Sequence, residues 1–390
     1  MTSQRVYLDN AATTIVRPEV LDAMLPYFGA RGHNPSSTHA EGRAARAALD
    51  DARERVARCI GAKPKEITFT AGGTEADNLA LLGTARALRE TGRRVVSSAI
   101  EHHAVLHALR ALRDEGFETA LIPVDSNGSV DRAAFEQALE SGTILASIMH
   151  VNNELGTIEP IAQLAAAAHR QGALFHTDAV QAAAYLSLDV RELQVDLLSL
   201  AAHKFYGPKG TGVLYVREGT PLSPLLHGGS QEHAMRAGTE NLAGILGLAR
   251  ALELALDERT QTSARIATLR DRLEHEIVDR IPGVRVNGAG APRSPHISNL
   301  SFLGVTSEQL LLSLDLAGLA VSAGSACASG SIEPSHVVAA LGLPAEWTQG
   351  AVRLSLGRTT SEGDVRYAVQ ALEHAVARIR GASEVPLAFK

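Results

Sequence analysis

From about residue 40 the sequence alternates helical periodicity with short apolar runs, the pattern of an α/β layer architecture. Over Glu41–Ile60, Ala45, Leu49, Ala52, Val56 and Cys59 recur at steps of three and four. This predicts an amphipathic helix that keeps Arg43, Arg46, Asp50, Arg53 and Glu54 away from the core, with Gly61 ending it. Glu66–Thr70 reads as a strand, followed by Ala71-Gly72-Gly73-Thr74-Glu75 and a helix to about Thr91. Next come a strand over Val95–Ala99, a helix over His103–Asp114 and a strand over Thr119–Val124. Ile144–Met149, Leu174–His176 and Leu197–Ala201 are further β-compatible runs separated by helical segments. Tyr206–Gly210 is a turn, and Gly212–Val216 a strand leading away from it.

From Leu242 to about Ile281 the pattern is one long, charged helix. A Pro/Gly-rich patch follows over Asn287–Pro295, then a second αβ unit: strand Ile297–Phe302, helix Ser307–Leu316, a small-residue loop around Cys327, strand Ala351–Leu356 and a final helix. The expected division is a large domain over 14–255 and a smaller one over 256–390, with residues 1–13 joining the smaller.

Composition narrows the function. The 390 residues hold 37 Lys and Arg against 43 Asp and Glu, a formal charge of −6, so a general nucleic-acid binder is not expected. Cys59 and Cys327 are the two cysteines, too few for a disulfide framework or a four-cysteine zinc site. No run approaches the ~18 apolar residues that span a bilayer, and Met1–Thr14 does not read as a secretory signal. A soluble, cytoplasmic enzyme is the expectation.

Three constellations carry candidate chemistry. Gly72-Gly73-Thr74 lies between a strand and a helix, where free N–H groups and a partial positive charge suit an anion such as a phosphate. Taken alone it is equally a glycine turn with Thr74 as the helix cap. Asp178 follows a short apolar strand, at an edge where α/β sheets hold ligands, and is either a solvated carboxylate or a partner for a buried cation. Lys204 closes another apolar strand. Either it reaches out to solvent, or it sits partly desolvated where its amine can form a Schiff base. A phosphate cradle, an acid for a pyridinium nitrogen and a Schiff-base lysine are together what pyridoxal 5'-phosphate requires.

At this point the chain resembles the cysteine desulfurases, the NifS/IscS-like branch of the class V aminotransferases. The motifs run from Tyr7-Leu-Asp-Asn-Ala-Ala-Thr-Thr14 through Asn34-Pro-Ser-Ser, Thr70-Ala-Gly-Gly-Thr-Glu-Ala-Asp-Asn78, Glu101-His102-His103 and Met149-His-Val-Asn-Asn-Glu-Leu-Gly156. They continue through the Asp178 and Lys204 segments to Arg236-Ala-Gly-Thr-Glu-Asn241, Ser325-Ala-Cys327 and Arg353-Leu-Ser-Leu-Gly-Arg358. The resemblance implies fold type I of the pyridoxal-phosphate enzymes (aspartate aminotransferase-like), with a mostly parallel seven-stranded sheet in the large domain. It implies a Schiff base on Lys204, Asp178 at the pyridine nitrogen, Gln181 and Asn153 near the phenolic oxygen, and His102 stacked on the ring and shuttling protons. Gly73, Thr74 and His203 resemble phosphate ligands. Thr239 resembles the threonine that reaches the phosphate of a second subunit, implying a homodimer. Arg353, helped by Asn34, matches the grip on the substrate carboxylate, and no metal is implied.

The implied reaction moves sulfur from L-cysteine to Cys327 as a persulfide, leaves L-alanine, and passes the sulfur to an iron–sulfur scaffold or a thiolation relay. Lys204 takes the Cα proton and His102 is the nearby base for the thiol. Val321–Ser331 has no bulky side chain after Val321, which predicts a mobile loop suited to a visiting thiol, re-anchored from Glu333 to His336. Cys59 fits a core position instead. Two departures from the family pattern stand out: Ala201-Ala202 replace Ser-Gly before His203-Lys204, removing a hydroxyl donor to phosphate, and Ala328 follows Cys327 where threonine is usual. Another fold-type-I enzyme (an aminotransferase or a kynureninase-like hydrolase), a selenocysteine-preferring lyase, or a weakly catalytic sulfur-handling scaffold are the competing readings.

Overall fold

In the computed structural model, which describes residues 5–324 and 335–383, twelve strands fall into three sheets. In chain order the strands are β1 (Val6–Tyr7), β2 (Ile67–Thr70), β3 (Arg94–Ser98), β4 (Glu118–Ile122), β5 (Thr143–Ser147) and β6 (Leu174–Asp178). They continue with β7 (Leu197–Ala201), β8 (Gly212–Val216), β9 (Val284–Asn287), β10 (Ile297–Phe302), β11 (Leu319–Ala320) and β12 (Ala351–Ser355). The largest sheet has seven strands in the order β2-β8-β7-β6-β5-β3-β4. Its four parallel pairings run from β4 to β7, and β8 lies antiparallel to both its neighbours.

The central strands are buried on both faces, as a parallel sheet covered by helices requires. Side chains alternate faces along a strand, so Leu197, Leu145 and Leu214 pack into one core while Leu198, Leu200, Ala146 and Phe175 pack into another. The helix Ala40–Ile60 lies in the second of these, burying Ala45, Leu49, Ala52 and Val56 and ending at Gly61 in the left-handed conformation (φ 70°).

Strand β10 pairs antiparallel with both β12 and the short β9, in the order β12-β10-β9, and β1 pairs in parallel with β11. Val6 and Leu8 join Leu300, Phe302, Val352 and Leu354 in a separate core. The helix Leu242–Arg280 spans both: Leu242–Ala255 packs beside the large sheet, Ile266–Ile277 beside the small one.

The sequence pattern departs from the structure in three informative places. Arg53, expected on the solvent side, is buried, because its guanidinium makes two bonds of 2.6 and 2.8 Å to the Glu232 carboxylate and one of 2.6 Å to the Ile67 carbonyl on the open edge of β2. The helix after Gly72 widens into a π turn over Leu79–Gly83 and stops at Ala87, not near Thr91. Strand β9 is not expected from the pattern, because its Val-Arg-Val-Asn alternation is only four residues long and its last residue, Asn287, belongs to the patch read as loop.

Candidate active site

Strand β2 leads directly into the glycine pair. Gly72 is the N-cap of the helix that starts at Gly73, with φ at +151°, a conformation that L side chains rarely adopt. A Cβ on Gly73 would stand 2.9 Å from Val180 Cγ2 and 3.4 Å from Ala201 Cβ, so only glycine lets this helix start so close to β7. Thr74 is therefore inside the first turn and not the cap; its side chain is exposed and its carbonyl accepts from Asn78. The anion-binding reading of the segment keeps its geometry, and the capping reading of Thr74 falls away.

Strands β6 and β7 place the acid and the lysine side by side, since both end at the same edge of the sheet. Asp178 is buried, with one oxygen accepting from Val180 N at 2.9 Å. Burial pushes its carboxyl up to about 6, against the pull of the Val180 N–H and the Lys204 charge. Lys204 lies one tight turn beyond β7, and its Nζ donates to the carbonyls of Ala11 (2.6 Å) and Ala12 (2.8 Å).

The carbonyls of Ala11 and Ala12 belong to a strap over residues 9–14 that gathers the site. Gln181 Nε2 donates to the same Ala11 carbonyl at 2.8 Å. His203 Nδ1 lies 3.2 Å from Thr13 Oγ1, and its backbone carbonyl accepts from Thr14 N and Oγ1. Arg353, reaching in from β12, gives Nη2 to Asp9 Oδ1 (2.8 Å) and Nη1 to the Asn153 carbonyl (2.7 Å). Residues 344 positions apart along the chain thus share one ion pair.

His102 caps the helix His103–Asp114: its Nδ1 accepts from Ala104 N at 3.1 Å. Burial and then the Lys204 charge push the imidazole down to about 4, so at neutral pH it is uncharged. With Nδ1 occupied as an acceptor, the single proton sits on Nε2. In this tautomer Nε2–H is a hydrogen-bond donor, while the Nδ1 lone pair is engaged by the Ala104 N–H. As base for the thiol, the role expected of it, His102 would release the Ala104 N–H and take the proton on Nδ1.

The remaining expected residues divide. Asn153 is buried, with Oδ1 lacking any hydrogen-bond partner, and lies against Arg353. Asn34 is exposed and turns its Oδ1 back to Ser36 N at 2.9 Å, a local turn rather than a contact with Arg353. Thr239 is exposed and lines a cleft of about 120 Å³ with Thr70, Ala71 and Arg236; Arg236 in turn pairs with Glu75 of the cradle helix at 2.9 Å. Cys327 and Glu333 lie outside the described residues. His336, in the helix that follows, donates from its ring Nε2 to the Glu101 carbonyl at 2.9 Å, beside His102. Among the described residues no cluster of His, Cys, Asp and Glu forms a metal site.

Known proteins match this arrangement. The class-V aminotransferase family matches residues 6–367. A protein named cysteine desulfurase IscS from Dictyoglomus turgidum is 49% identical over 377 residues, covering 97% of this chain and 96% of its own. Another of that name from Methanosarcina thermophila is 45% identical, covering 98% and 94%. This chain belongs to the cysteine desulfurase family. A solved NifS-like protein superimposes with a TM-score of 0.90 at 35% identity, over 96% of this chain and all of the other. The match thus extends to the fold, the mixed α/β architecture of fold type I.

Cysteine desulfurases use pyridoxal 5'-phosphate, and the residues present fit it. The Gly73 approach leaves no room for a side chain, a buried acid and an amine flank one sheet edge, and the buried Asn153 amide oxygen lacks a protein partner. The misfit is Ala201, whose methyl lies at the cradle where the family's serine brings a hydroxyl. Restoring it supplies one charge-assisted bond. Ala201→Ser is expected to tighten cofactor binding roughly tenfold, read by equilibrium dialysis of the cofactor-free protein. Unchanged or weaker binding would mean that the phosphate does not sit beside residue 201.

Sequence reasoning did not single out Asp9, Glu101 or His296. Asp9 and Glu101 lie within quoted motifs, but nothing in the spacing shows that Asp9 approaches Arg353 or that Glu101 accepts from the buried Ser98 hydroxyl and the Met149 N–H. Burial pushes Glu101 up to about 8, so it carries a proton at neutral pH. His296 follows a Pro/Gly-rich patch and offers no sequence signal at all.

Proposed function

We propose that this protein takes sulfur from L-cysteine onto Cys327, releases L-alanine, and delivers the sulfur to an acceptor protein of iron–sulfur cluster assembly or thiolation. The observation that carries the reading is the meeting at the Ala11 carbonyl, into which Lys204 and Gln181 both donate while Asp178 ends the adjacent strand. Three groups far apart in sequence converge where one ring requires an amine, an amide donor and an acid.

When bound, pyridoxal 5'-phosphate supplies an electron sink for the pair released at Cα. Lys204 would hold the cofactor through Nζ, and its amine, when free, would accept the Cα proton at the same atom. Asp178 as an anion would hold the ring nitrogen's proton in place, and Gly73, Thr74 and His203 would hold the phosphate. Arg353 takes the substrate carboxylate, its fork held in the site by Asp9 and the Asn153 carbonyl. Cys327 attacks as a thiolate: its sulfur bonds to the substrate sulfur, the Cβ–S bond breaks, and that pair stays on carbon, which is protonated to alanine. His102 takes the proton that Cys327 gives up, releasing its Nδ1 contact with Ala104 N to do so, and returns it to that carbon.

A homodimer is part of the same reading. Ile15, Leu21, Leu25 and Phe28 are 75%, 45%, 62% and 69% exposed along one N-terminal stretch, apolar surface that a second copy would cover. This supports a role for Thr239 across the interface. A cytoplasmic setting suits the chemistry, because reducing conditions keep Cys327 a thiol. No helix among the described residues is long and apolar enough to cross a membrane.

The acid supplies a pH test. Asp178, pushed up to about 6, is an anion above that pH and protonates as pH falls through it. Cofactor affinity of the empty protein should therefore drop by about tenfold per pH unit below about 6, beyond whatever loss the Asp178→Asn variant shows from the phosphate alone. Equal pH slopes in the two proteins would remove Asp178 from the ring nitrogen. Turnover products test the reaction class: alanine and sulfide from L-cysteine, with an added thiol to reduce the persulfide, support the proposal, and keto-acid formation without sulfide contradicts it.

A further inference from the structure

Gln181 has an amide whose orientation is fixed from both ends. Its Nε2 donates to the Ala11 carbonyl at 2.8 Å, so its Oε1 must point the other way, where it lies 3.3 Å from His296 Nε2. A carbonyl oxygen only accepts, so His296 has to donate. The ring is 2% exposed, stacked on Tyr185 with centroids 4.0 Å apart and planes 13° apart. Burial, and after it the charged groups that face the ring (Arg353, Arg270 and Lys204, all cations), push the imidazole down to about 3.

His296 is therefore neutral and owns one N–H. The Gln181 contact places that proton on Nε2, which leaves Nδ1 as the acceptor for the Ser294 hydroxyl at 2.7 Å. The Ser294 backbone carbonyl is held in turn by Arg270 Nη1 at 2.8 Å. Every donor and acceptor in the chain from Ser294 to Ala11 now has one direction. One N–H of the Gln181 amide is left over.

We propose that His296 is a positioning residue that locks the Gln181 amide so that an N–H, and not the C=O, faces the cofactor's phenolic oxygen. The assignment rests on the reading of the site given above. A reversed amide would set a carbonyl oxygen against a developing oxyanion, whereas the locked amide gives it a donor. His296 touches neither substrate nor cofactor in this account and acts through Gln181.

The test is a double-mutant cycle on the cofactor-loaded protein without substrate, read as the pH midpoint of the bound cofactor's visible band. Removing the donor leaves more negative charge on the phenolic oxygen, which tightens the hold on the neighbouring proton. Gln181→Leu and His296→Phe should each raise the midpoint by about one pH unit. The double variant should move no further than Gln181→Leu alone. Phenylalanine keeps a ring against Tyr185, and His296→Gln, which brings an amide N–H, should recover part of the shift. A midpoint unmoved by His296→Phe while Gln181→Leu moves it, or shifts that simply add, would overturn the proposal. If His296→Phe does not fold, Ser294→Ala carries the test: by releasing the tautomer it should raise the midpoint by a smaller amount, and no shift there would overturn it. Wild-type protein that takes up no cofactor would refute the parent reading, and this one with it.

Discussion

Cys327→Ser should keep the yellow of the bound cofactor, and the spectral change on adding L-cysteine, while sulfide release falls by on the order of 10³-fold or more. The variant leaves Lys204, Asp178, Gln181 and Arg353 untouched, so binding and Cα proton removal continue. What is lost is the sulfur nucleophile, since a serine hydroxyl stays protonated at neutral pH and is a poor partner for a sulfur–sulfur bond. The same substitution at Cys59 should do nothing to turnover. That thiol sits half-buried against the core of the large sheet, where burial pushes it up to about 11 and keeps it protonated. Full sulfide release from Cys327→Ser would take residue 327 out of the chemistry.

Lys204→Ala is expected to be more severe, because two functions end together. The covalent hold on the cofactor is lost, and so is the amine that accepts the Cα proton; removal of a positioned acid–base group alone lowers rates by roughly 10²–10⁴-fold. The purified variant should lack the internal visible band of the wild type and make no measurable alanine. Adding a small primary amine should restore a fraction of proton removal if the missing part is the base. An unchanged spectrum would show that another lysine holds the cofactor.

Much of the fold was legible because its signals are local. The helices His103–Asp114 and Ser307–Leu316 and the strands Leu197–Ala201, Gly212–Val216 and Ile297–Phe302 have the predicted boundaries, since each combines the right period with a turn residue or cap at its ends. The capping box of Thr306 and Gln309 is an example. What escaped was set by partners remote in sequence. Arg53 reads as a surface arginine on an amphipathic helix, and only Glu232, 179 residues on, makes burial tolerable.

The same division runs through the site. Gly73, Asp178 and Lys204 announced themselves at strand ends, where α/β sheets collect ligands. The strap at Asp9–Thr14 did not, because its contribution is mostly backbone carbonyl, which no residue type advertises. His102 was legible as a residue but not in its proton, which the Ala104 N–H contact decides. Asn34 was assigned by motif alone, and its side chain is engaged within its own turn. His296 shows the limit most clearly: its importance follows from the direction of one amide, and a direction has no letter in a sequence.

The account depends on the sulfur of L-cysteine arriving at one named thiol by way of one named amine. Purified protein reconstituted with pyridoxal 5'-phosphate, given L-cysteine and digested without reductant, should yield a Cys327 peptide heavier by one sulfur atom, beside an equivalent of alanine, and neither should form in Lys204→Ala. Extra sulfur on Cys59 instead, or alanine made with the Cys327 peptide unchanged, would contradict it.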